Sequence, residues 1–539
     1  MNLHRAAMRA ALALAFAATQ GHLGAQAPGL RLFQPIGNFA TQLLDASGTV
    51  VHQWPGGGNL TAHVAADGSL LRGRQATAIP VPGQTGGVQR IDFDGTVRWD
   101  YPLSGPHLFG HHDLEPMPNG NVLVIVWERY TIADAIAQGR DPALLTGTDW
   151  LPDGLIELQP TGPSSAVVVW EWHLIDHVVQ DYDATKPNFG VVADHPELLD
   201  INYPPVVLTD GDYNHANGID YDPVHDLIAI SARAQNEVYI IDHATTTAEA
   251  SGHTGGARGR GGDILWRWGN PAAYGAGTAQ DQQLDGQHDP RFVPPGYPGA
   301  GHLTLFNNRH TPTASAVYEL ALPMDAAGNL AIDPVLGTYG PPAPLWTFTE
   351  PGFFSNVTSS AERLPNGNTL ICSGTQNRVF EVTPAGQTVM SYVHPGSNLL
   401  FQANYVDRSM WADRASLSIA GDQVRFDHLT GTAHANRYAL LLGTLSGRSP
   451  GAALPGGTVL PLNVDALTDA MATQWNTGVF VDTLCVLDGA GAGASAVLAP
   501  PGVIPPALVG VTLDFAHVVF DAGLQPVRAG TAVSVTISP

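Results

Sequence analysis

Histidines next to acidic or amide residues recur at three points of the chain, and these are the side chains best suited to chemistry. A neutral imidazole is a nucleophile that can accept an electrophilic group and pass it on. It is also a common metal ligand, and nearby aspartates could complete a coordination shell. The three segments are His111-His112-Asp113, Asn214-His215-Ala216-Asn217 and Gln287-His288-Asp289.

The two chemistries make different demands on the remaining residues. Transfer of an anionic group requires a cation that neutralises the charge developing on its oxygens. Arg309, in Phe306-Asn307-Asn308-Arg309, follows the strand that begins at His288 and could supply that cation. A metal site would instead combine the histidines with Asp113, Asp212 or Asp289, but the chain lacks a His-Glu-x-x-His motif and Cys/His ligand spacing. We therefore predict nucleophilic transfer, with no metal and no cofactor.

These histidines belong to a repeat that recurs six times. In each copy a β-branched strand ends near an acidic residue, and a second strand closes on aromatic residues separated by one polar residue. Such rings face one side of the strand, where they would fill the wedge between neighbouring repeats. Six copies predict a six-bladed β-propeller over residues 28–405. The copies close at His52-Gln53-Trp54, Trp99-Asp100-Tyr101, Trp170-Glu171-Trp172, Trp266-Arg267-Trp268, Trp346-Thr347-Phe348 and Met390-Ser391-Tyr392.

A second recurrent feature is a Pro-Asn-Gly-Asn turn between two apolar runs. It occurs at Pro118-Asn119-Gly120-Asn121 and at Pro365-Asn366-Gly367-Asn368. Asn-Gly between apolar runs is a strong hairpin signal, because both residues tolerate positive φ. We expect these hairpins to form the inner strands of the blades. The leading ends of such strands, which carry the histidines, would converge on one axial pocket.

The character of the sequence changes from about Trp411. The aromatic pairs stop, and short alternating strands separated by Pro/Gly turns replace them, for example Ala439 to Leu442 and Val511 to Phe515. This pattern predicts a small antiparallel β-sandwich over residues 411–539. The histidines of this region, His428, His434 and His517, have no ligand spacing, so we predict no chemistry there.

Composition excludes several classes of function. The chain has 24 Lys and Arg against 48 Asp and Glu, which argues against a nucleic-acid partner because phosphate backbones are bound by clustered basic residues. Lys186 is the only lysine and lies in Ala184-Thr185-Lys186-Pro187, so no phosphate-binding P-loop is present. With 60 Gly, 42 Pro and 13% charged residues, the chain is predicted to be all-β.

The N-terminal residues 1–27 have the pattern of a secretory signal peptide. Arg5 and Arg9 precede a short apolar core, Ala10 to Ala18, and Ala25-Gln26-Ala27 has the form of a cleavage site. The core is shorter than the ~20 residues of a membrane span, and no later stretch reaches that length. We therefore predict a periplasmic or secreted protein with no membrane span. Its two cysteines, Cys372 and Cys485, are expected to be unpaired.

Several motifs of the chain resemble those of the bacterial arylsulfotransferase (arylsulfate sulfotransferase) family. They follow the family order across residues 30–405, and the resemblance implies the six-bladed propeller that the repeat count also predicts. The motifs are Phe109-Gly110-His111-His112-Asp113, His215-Ala216-Asn217-Gly218-Ile219-Asp220, Ser231-Ala232-Arg233, Ile240-Ile241-Asp242-His243, Trp268-Gly269-Asn270-Pro271, Gln287-His288-Asp289, Leu305-Phe306-Asn307-Asn308 and Arg363-Leu364-Pro365-Asn366-Gly367-Asn368.

The resemblance implies transfer of a sulfuryl group from an aryl sulfate ester to a phenolic acceptor. The implied route is ping-pong through a sulfated histidine and needs no nucleotide sulfate donor. His215 and His288 match two active-site histidines of the family. The sulfated histidine of the family lies later in the chain, where this sequence has Ser355-Asn356-Val357-Thr358-Ser359-Ser360 and no histidine between His310 and His394.

We predict His288 as the nucleophile, because it begins an inner strand and Arg309 returns on the strand beside it. His215 is predicted to be an acid/base or oxyanion partner, and Arg309 to hold the sulfuryl oxygens. The alternative is a secreted, non-catalytic propeller that binds a ligand or a surface glycan. The physiological donor and acceptor and the oligomeric state have no signature in the sequence. The predicted substrate-binding residues are His111, His112, Asn217, Asn307, Asn308, Thr358 and Ser359.

Overall fold

The computed structural model describes residues 26–76, 82–145, 147–204, 211–330, 332, 338–396 and 398–539. The predicted signal peptide therefore lies outside the described residues, except for Gln26 and Ala27. Within the described part the chain is predominantly β-strand, which confirms the predicted fold class at that level. None of the described helices is long and apolar enough to cross a membrane.

The described part of residues 30–406 contains 28 strands and two short α-helices, α1 (Ile132–Ala137) and α2 (Thr247–Ala250). The strands, in chain order, are β1 (Leu30–Pro35), β2 (Thr41–Leu44), β3 (Val50–Trp54), β4 (Gly58–Val64), β5 (Leu70–Arg74), β6 (Gly87–Ile91), β7 (Val97–Pro102), β8 (Leu108–Pro116), β9 (Val122–Glu128), β10 (Tyr130–Thr131), β11 (Asp149–Trp150), β12 (Asp153–Gly162), β13 (Ser165–His173), β14 (Val178–Val179), β15 (Leu199–Asp200), β16 (Ala216–Asp222), β17 (Leu227–Ala232), β18 (Glu237–Asp242), β19 (Trp266–Trp268), β20 (His288–Phe292), β21 (Leu303–Thr311), β22 (Ala314–Leu320), β23 (Trp346–Phe348), β24 (Ser360–Arg363), β25 (Thr369–Ser373), β26 (Arg378–Val382), β27 (Thr388–Val393) and β28 (Leu400–Val406).

These strands form six four-stranded antiparallel sheets, named here sheets I to VI, in the described part of residues 30–406. The two-residue pairs β10/β11 and β14/β15 lie outside them. From the first to the fourth strand, the sheets are I (β28-β1-β2-β3), II (β4-β5-β6-β7), III (β8-β9-β12-β13), IV (β16-β17-β18-β19), V (β20-β21-β22-β23) and VI (β24-β25-β26-β27).

The first strands of the six sheets contact one another in a closed ring. β4 contacts β8, β8 contacts β16, and the series continues through β20, β24 and β28 back to β4. Sheet I joins the two ends of this region, because β28 pairs antiparallel with β1, with Leu30 opposite Val406. Hydrogen bonds between the first and the last strand of this region, β1 and β28, therefore close the structure.

The aromatic residues of the repeat lie on the fourth strand of each sheet and pack against the next sheet. Trp170 and Trp172 of sheet III share one buried cluster with Ile219 and Ile230 of sheet IV. The Trp172 indole N–H donates to the Gly262 carbonyl, 2.8 Å away. A buried aromatic ring removes about 150–250 Å² from water, which is worth about 4–6 kcal/mol at roughly 25 cal/mol per Å². These rings are a main contribution to the cohesion between sheets.

The elements after residue 406 form separate sheets. β31 (Asp422–Leu429) and β37 (Ala492–Ala499) belong to a four-stranded sheet, and β32 (Tyr438–Thr444) and β38 (Thr512–Phe520) belong to a six-stranded one. Phe426 and Phe515, one from each sheet, meet in a common apolar core with ring centroids 4.7 Å apart. The pairing is mostly antiparallel, but β30 (Ser416–Ser418) pairs with β40 (Val533–Ser538) in parallel. The elements are β29 (Met410–Ala412), β30 (Ser416–Ser418), β31 (Asp422–Leu429), β32 (Tyr438–Thr444), β33 (Ala452–Ala453), β34 (Val459–Leu460), α3 (Ala466–Thr473), β35 (Phe480–Val481), β36 (Leu484–Val486), β37 (Ala492–Ala499), β38 (Thr512–Phe520), β39 (Pro526–Ala529) and β40 (Val533–Ser538).

The two cysteines are both free: Cys372 is buried on β25 of sheet VI, and Cys485 lies half-buried on β36. His428 and His517 are buried in the C-terminal region, with their Nδ1 atoms 2.8 Å apart. His428 Nε2 contacts the Ser495 hydroxyl. These C-terminal histidines are therefore paired with each other and with a hydroxyl inside the core.

Candidate active site

A backbone irregularity recurs near the start of the innermost strands. Six residues there have φ between 50° and 93°, the left-handed region that is costly for a residue with a Cβ. The pairing of β4, β8, β16 and β20 with the next strand also shifts register at this level. Such bulges turn side chains out of the regular alternation of the strand. The six residues are Leu60, His112, His215, Asp289, Thr358 and Ser359.

The innermost strands enclose a cavity of about 460 Å³. This volume is within the range of small-molecule sites, and the wall has the usual mixture of apolar surface and a few polar groups. Its polar side includes three histidines and two residues of opposite charge, an aspartate and an arginine. The polar lining includes His112, Asp212, His215, Arg233, His288 and Thr358, together with Asn59, Gln75 and Gln84, and the apolar lining includes Ile36, Leu60, Val357 and Phe401.

His215 has one nitrogen anchored and the other unoccupied. Its Nδ1 lies 2.5 Å from Oδ2 of Asp212. A carboxylate only accepts hydrogen bonds, so Nδ1 carries the proton and Nε2 carries the lone pair. Nε2 has no hydrogen-bond partner among the described residues. Asp212 is itself held by the Trp127 indole N–H, 3.2 Å from its Oδ1. This arrangement presents an imidazole lone pair to the cavity.

His288, in contrast, has both ring nitrogens engaged. Its Nδ1 donates to the Asn308 Oδ1 atom at 2.6 Å and lies 3.0 Å from the Gly286 carbonyl. Its Nε2 accepts the Thr358 backbone N–H at 3.1 Å. Burial, followed by the positive charge of Arg233, lowers the pKa of His288 to about 3. His288 is therefore neutral, and its lone pair is used by a protein N–H.

Arg233 places a guanidinium group in the cavity wall. It follows β17 in the short helical turn Arg233–Gln235 and is 5% exposed. Its Nη1 has no hydrogen-bond partner in the described part of the protein. Burial, and then the nearby charge of Arg309, lower the pKa of Arg233 to about 10, so the group stays protonated at neutral pH. A buried cation with unpaired donors is suited to binding the oxygens of an anion.

Arg309, the cation predicted from the sequence, lies behind the cavity wall. Its Nε donates to Asp285 Oδ1 at 2.9 Å, and its Nη2 contacts the same oxygen. Its side chain is 27% exposed and is not part of the cavity lining. The guanidinium on β21 is thus paired with a carboxylate, whereas the one that follows β17 is not.

The His111-His112 pair divides between wall and interior. The two Nδ1 atoms are 2.8 Å apart. The His112 ring lines the cavity, and its centroid is 4.4 Å from that of His215. The His111 ring stacks on Trp127 at 3.8 Å, outside the lining. Burial lowers the pKa of His111 to about 3 and that of His112 well below its usual value, so both are neutral at pH 7.

Of the predicted amide and hydroxyl ligands, Thr358 lines the cavity and the other four lie behind it. Asn308 donates to the Ser355 and Thr358 carbonyls at 2.8 and 2.7 Å, which fixes the segment that carries Thr358. The Ser359 hydroxyl accepts the Gly374 N–H at 3.0 Å. These contacts support the wall from outside.

The two remaining asparagines are also structural supports in their position. Asn217 donates to the Gln287 carbonyl at 2.8 Å, and its Oδ1 has no partner among the described residues. Asn307 donates to the Gln283 carbonyl at 3.0 Å and accepts the Asp285 N–H at 2.9 Å. Asn217 thus links β16 of sheet IV to the residue before β20 of sheet V, and Asn307 links β21 to the segment before β20.

The two charged cavity residues, Asp212 and Arg233, were not predicted as catalytic or substrate-binding groups. Asp212 entered the sequence analysis only as a possible metal ligand, although it stands three residues before His215. Arg233 lies in one of the family motifs, Ser231-Ala232-Arg233, yet Arg309 was preferred because it follows the His288 strand. The signal for Asp212 is local, because it lies three residues before His215, whereas the choice between Arg233 and Arg309 depends on the contact of Arg309 with Asp285, 24 residues away in the chain.

Comparison with known proteins gives one family match and distant structural similarities. The model of the Arylsulfotransferase (ASST) family matches residues 41–410. No curated protein matches the chain. A protein of unknown function from Bacteroides caccae is 10% identical with a TM-score of 0.39, covering 70% of this chain and 99% of that one. The periplasmic gluconolactonase PpgL of Pseudomonas aeruginosa is 12% identical with a TM-score of 0.36, covering 70% and 99%.

Proposed function

Because the chain belongs to the arylsulfotransferase family, we propose that it transfers a sulfuryl group from an aryl sulfate ester to a phenolic acceptor. The family suggests the activity and implies both substrate classes. The observation that carries the proposal is the juxtaposition of His215 and Arg233 in one cavity. One supplies a free imidazole lone pair and the other a free guanidinium nitrogen.

We assign the nucleophile to His215. The lone pair on Nε2 attacks the sulfur of the donor, an S–N bond forms, and the S–O bond to the aryl group breaks with its electron pair on the departing aryloxide. The imidazole becomes positively charged in this step, and Asp212 stabilises that charge through Nδ1–H. The oxygen of the phenolic acceptor then attacks the same sulfur and displaces Nε2. The acceptor's proton balances the aryloxide formed in the first step.

The other cavity residues have supporting parts in this proposal. Arg233 holds the sulfuryl oxygens and neutralises the charge that develops on them. His112, a neutral imidazole beside His215, moves the proton between acceptor and aryloxide. Leu60, Val357 and Phe401 form the apolar side against which the aryl ring packs.

This assignment differs from the sequence-based prediction in two residues. The predicted nucleophile, His288, has its lone pair engaged by the Thr358 N–H, so we give it the role of holding that segment. The predicted sulfuryl ligand, Arg309, is paired with Asp285, and Arg233 replaces it. The experiment below distinguishes His215 from His288 as the nucleophile, and the kinetics of arginine variants distinguish Arg233 from Arg309.

The architecture and location proposed with this function follow the sequence analysis. We propose that sheets I to VI are the blades of a six-bladed β-propeller, supported by the ring of contacts between their first strands. The sheets after residue 406 would form a β-sandwich-like domain, supported by their common core. A signal peptide and a periplasmic or secreted location remain part of the proposal.

The test is to trap the sulfated protein. The mature chain is incubated with 4-nitrophenyl sulfate, with and without phenol, and nitrophenolate release and intact mass are recorded for wild type, His215→Gln and His288→Gln. We expect acceptor-dependent release, one sulfuryl adduct in wild type and in His288→Gln, and neither adduct nor turnover in His215→Gln. An adduct that survives in His215→Gln and disappears in His288→Gln would restore His288 as nucleophile. Absence of release from folded wild type would favour the non-catalytic binding protein.

A further inference from the structure

Three potential metal-binding side chains meet outside the cavity, at the outer edges of sheets III and IV. His177 ends the short helical turn that follows β13. His253 and Asp263 lie in the segment between α2 and β19. One donor atom from each of the three residues lies within 4.8 Å of the others. This group is called the rim triad below.

The carboxylate of Asp263 is the centre of the rim triad. Its Oδ1 lies 2.9 Å from Nδ1 of His177 and 2.7 Å from Nδ1 of His253. The two imidazole rings are nearly perpendicular, with centroids 5.9 Å apart. Both rings thus direct the same kind of nitrogen toward one oxygen.

The hydrogen bonding of His177 makes this contact unusual. Its Nε2 lies 2.8 Å from the Ala250 carbonyl, which only accepts, so Nε2 carries a proton. In the neutral ring Nδ1 then holds a lone pair, and it faces a carboxylate oxygen that also holds lone pairs. Two acceptors at this distance require a positive particle between or beside them. A backbone carbonyl that fixes one nitrogen while the other binds the ion is the usual outer contact of a metal-bound histidine.

The rim triad rests on rigid surroundings. The His177 ring is fully buried and stacks on Trp172, with 2° between the planes. The neighbour of Asp263, Gly262, accepts the Trp172 indole N–H, and a Cβ on this glycine would collide with the Ala250 carbonyl oxygen. His177 and the backbone that carries Asp263 therefore keep their positions without an ion, which reduces the entropic cost of binding one.

We propose that His177, His253 and Asp263 bind a divalent transition-metal ion of the Zn²⁺ type. Two imidazole nitrogens and one carboxylate oxygen suit zinc better than calcium or magnesium, which prefer oxygen ligands alone. The open side of the rim triad faces a groove of about 550 Å³, whose lining includes His253, Asp263, His195 and Glu197. In the proposed site, a water molecule from this groove is the fourth ligand of the ion. The ion links the end of sheet III to the segment before β19. No metal site was predicted from the sequence, and the rim triad departs from that prediction.

The experiment uses the full mature chain after removal of metal with a chelator. Zn²⁺ is titrated in competition with a chromophoric chelator, bound metal is counted by elemental analysis, and the Tm is measured with and without Zn²⁺. We expect one Zn²⁺ per chain and a higher Tm in its presence. His253→Gln is the main variant, because this side chain is 58% exposed and its replacement leaves the core intact. It should weaken Zn²⁺ binding by more than about tenfold.

His195→Gln is the matched control. His195 lines the same groove and pairs with Glu197 at 3.0 Å, but it does not belong to the rim triad. It should bind Zn²⁺ as wild type does. The proposal is overturned if wild type binds no stoichiometric Zn²⁺, or if His253→Gln binds it as tightly as wild type. A proton on His177 would then be the positive particle, and His177 and Asp263 would form a simple ion pair. Sulfuryl transfer is not needed for any of these measurements.

Discussion

Replacement of Asp212 by asparagine tests the charge arrangement in the cavity. The asparagine side chain has the shape of the aspartate and could still accept the Trp127 indole N–H, so the fold should be kept. The variant would lack the negative charge beside Nδ1 of His215. The new amide group could also donate to Nδ1, which would move the ring proton to Nε2 and remove the nucleophilic lone pair from the cavity.

The magnitude follows from the distance between the charges. Once His215 carries the sulfuryl group, its ring is positive and lies about 4 Å from the carboxylate, and the attraction is about 4 kcal/mol at an effective dielectric constant of about 20. Because about 1.4 kcal/mol corresponds to a factor of ten, Asp212→Asn should lower kcat about 10³-fold. The KM for the donor should change little, because Arg233 remains.

The assay is steady-state release of nitrophenolate from 4-nitrophenyl sulfate with phenol as acceptor. Asp285→Asn is the matched control, since it makes the same chemical change on a carboxylate that pairs with Arg309 outside the cavity. It should retain activity within a few-fold of wild type. If Asp212→Asn is folded and keeps more than about a tenth of the wild-type kcat, Asp212 does not stabilise a charged His215 and the proposed nucleophile is wrong.

Two further predictions concern Arg233 and His288. Arg233→Gln should lower kcat/KM about 10²–10³-fold, as expected for loss of one charge-stabilising donor, whereas Arg309→Gln should lower it only a few-fold; equal losses in steady-state kinetics would contradict the assignment. Burial lowers the pKa of His288 to about 3. Between about pH 6.5 and pH 3, His288 is therefore protonated in the unfolded chain and neutral in the folded chain. His288 therefore costs no stability above pH 6.5 and destabilises the fold progressively as the pH falls toward 3, by about 2 kcal/mol at pH 5. Urea unfolding at pH 7 and pH 5 should show this loss in wild type and a loss smaller by about that amount in His288→Gln.

Local patterns in the sequence predicted much of the framework. The six aromatic motifs mark the fourth strand of each sheet, for example Trp99 on β7 and Trp266 on β19. The turns at Asn119 and Asn366 lie between the first two strands of sheets III and VI. Alternation and turn chemistry act over a few residues, so a single sequence contains them.

The parts of the site that were not predicted depend on contacts between distant segments. Nε2 of His288 is occupied by the N–H of Thr358, 70 residues later in the chain. Arg309 donates a hydrogen bond to the Asp285 carboxylate, whereas Nη1 of Arg233 has no hydrogen-bond partner in the described structure. The periodic patterns of the sequence do not indicate which of the two arginines pairs with a carboxylate. His112, His215 and His288 line the cavity, but the roles proposed for them follow from hydrogen bonds that the sequence does not reveal.

The pairing of β1 with β28 has a consequence for the order in which the chain is made. Synthesis proceeds from the N-terminus, so β1 to β3 are complete long before Val406, the partner of Leu30, exists. At about 5–20 residues per second, the delay is roughly 20 to 75 s. During that interval β1 exposes an unsatisfied edge, which is a template for pairing with another chain. Until its own last strand is made, pairing of that edge with another chain therefore competes with closure of the ring.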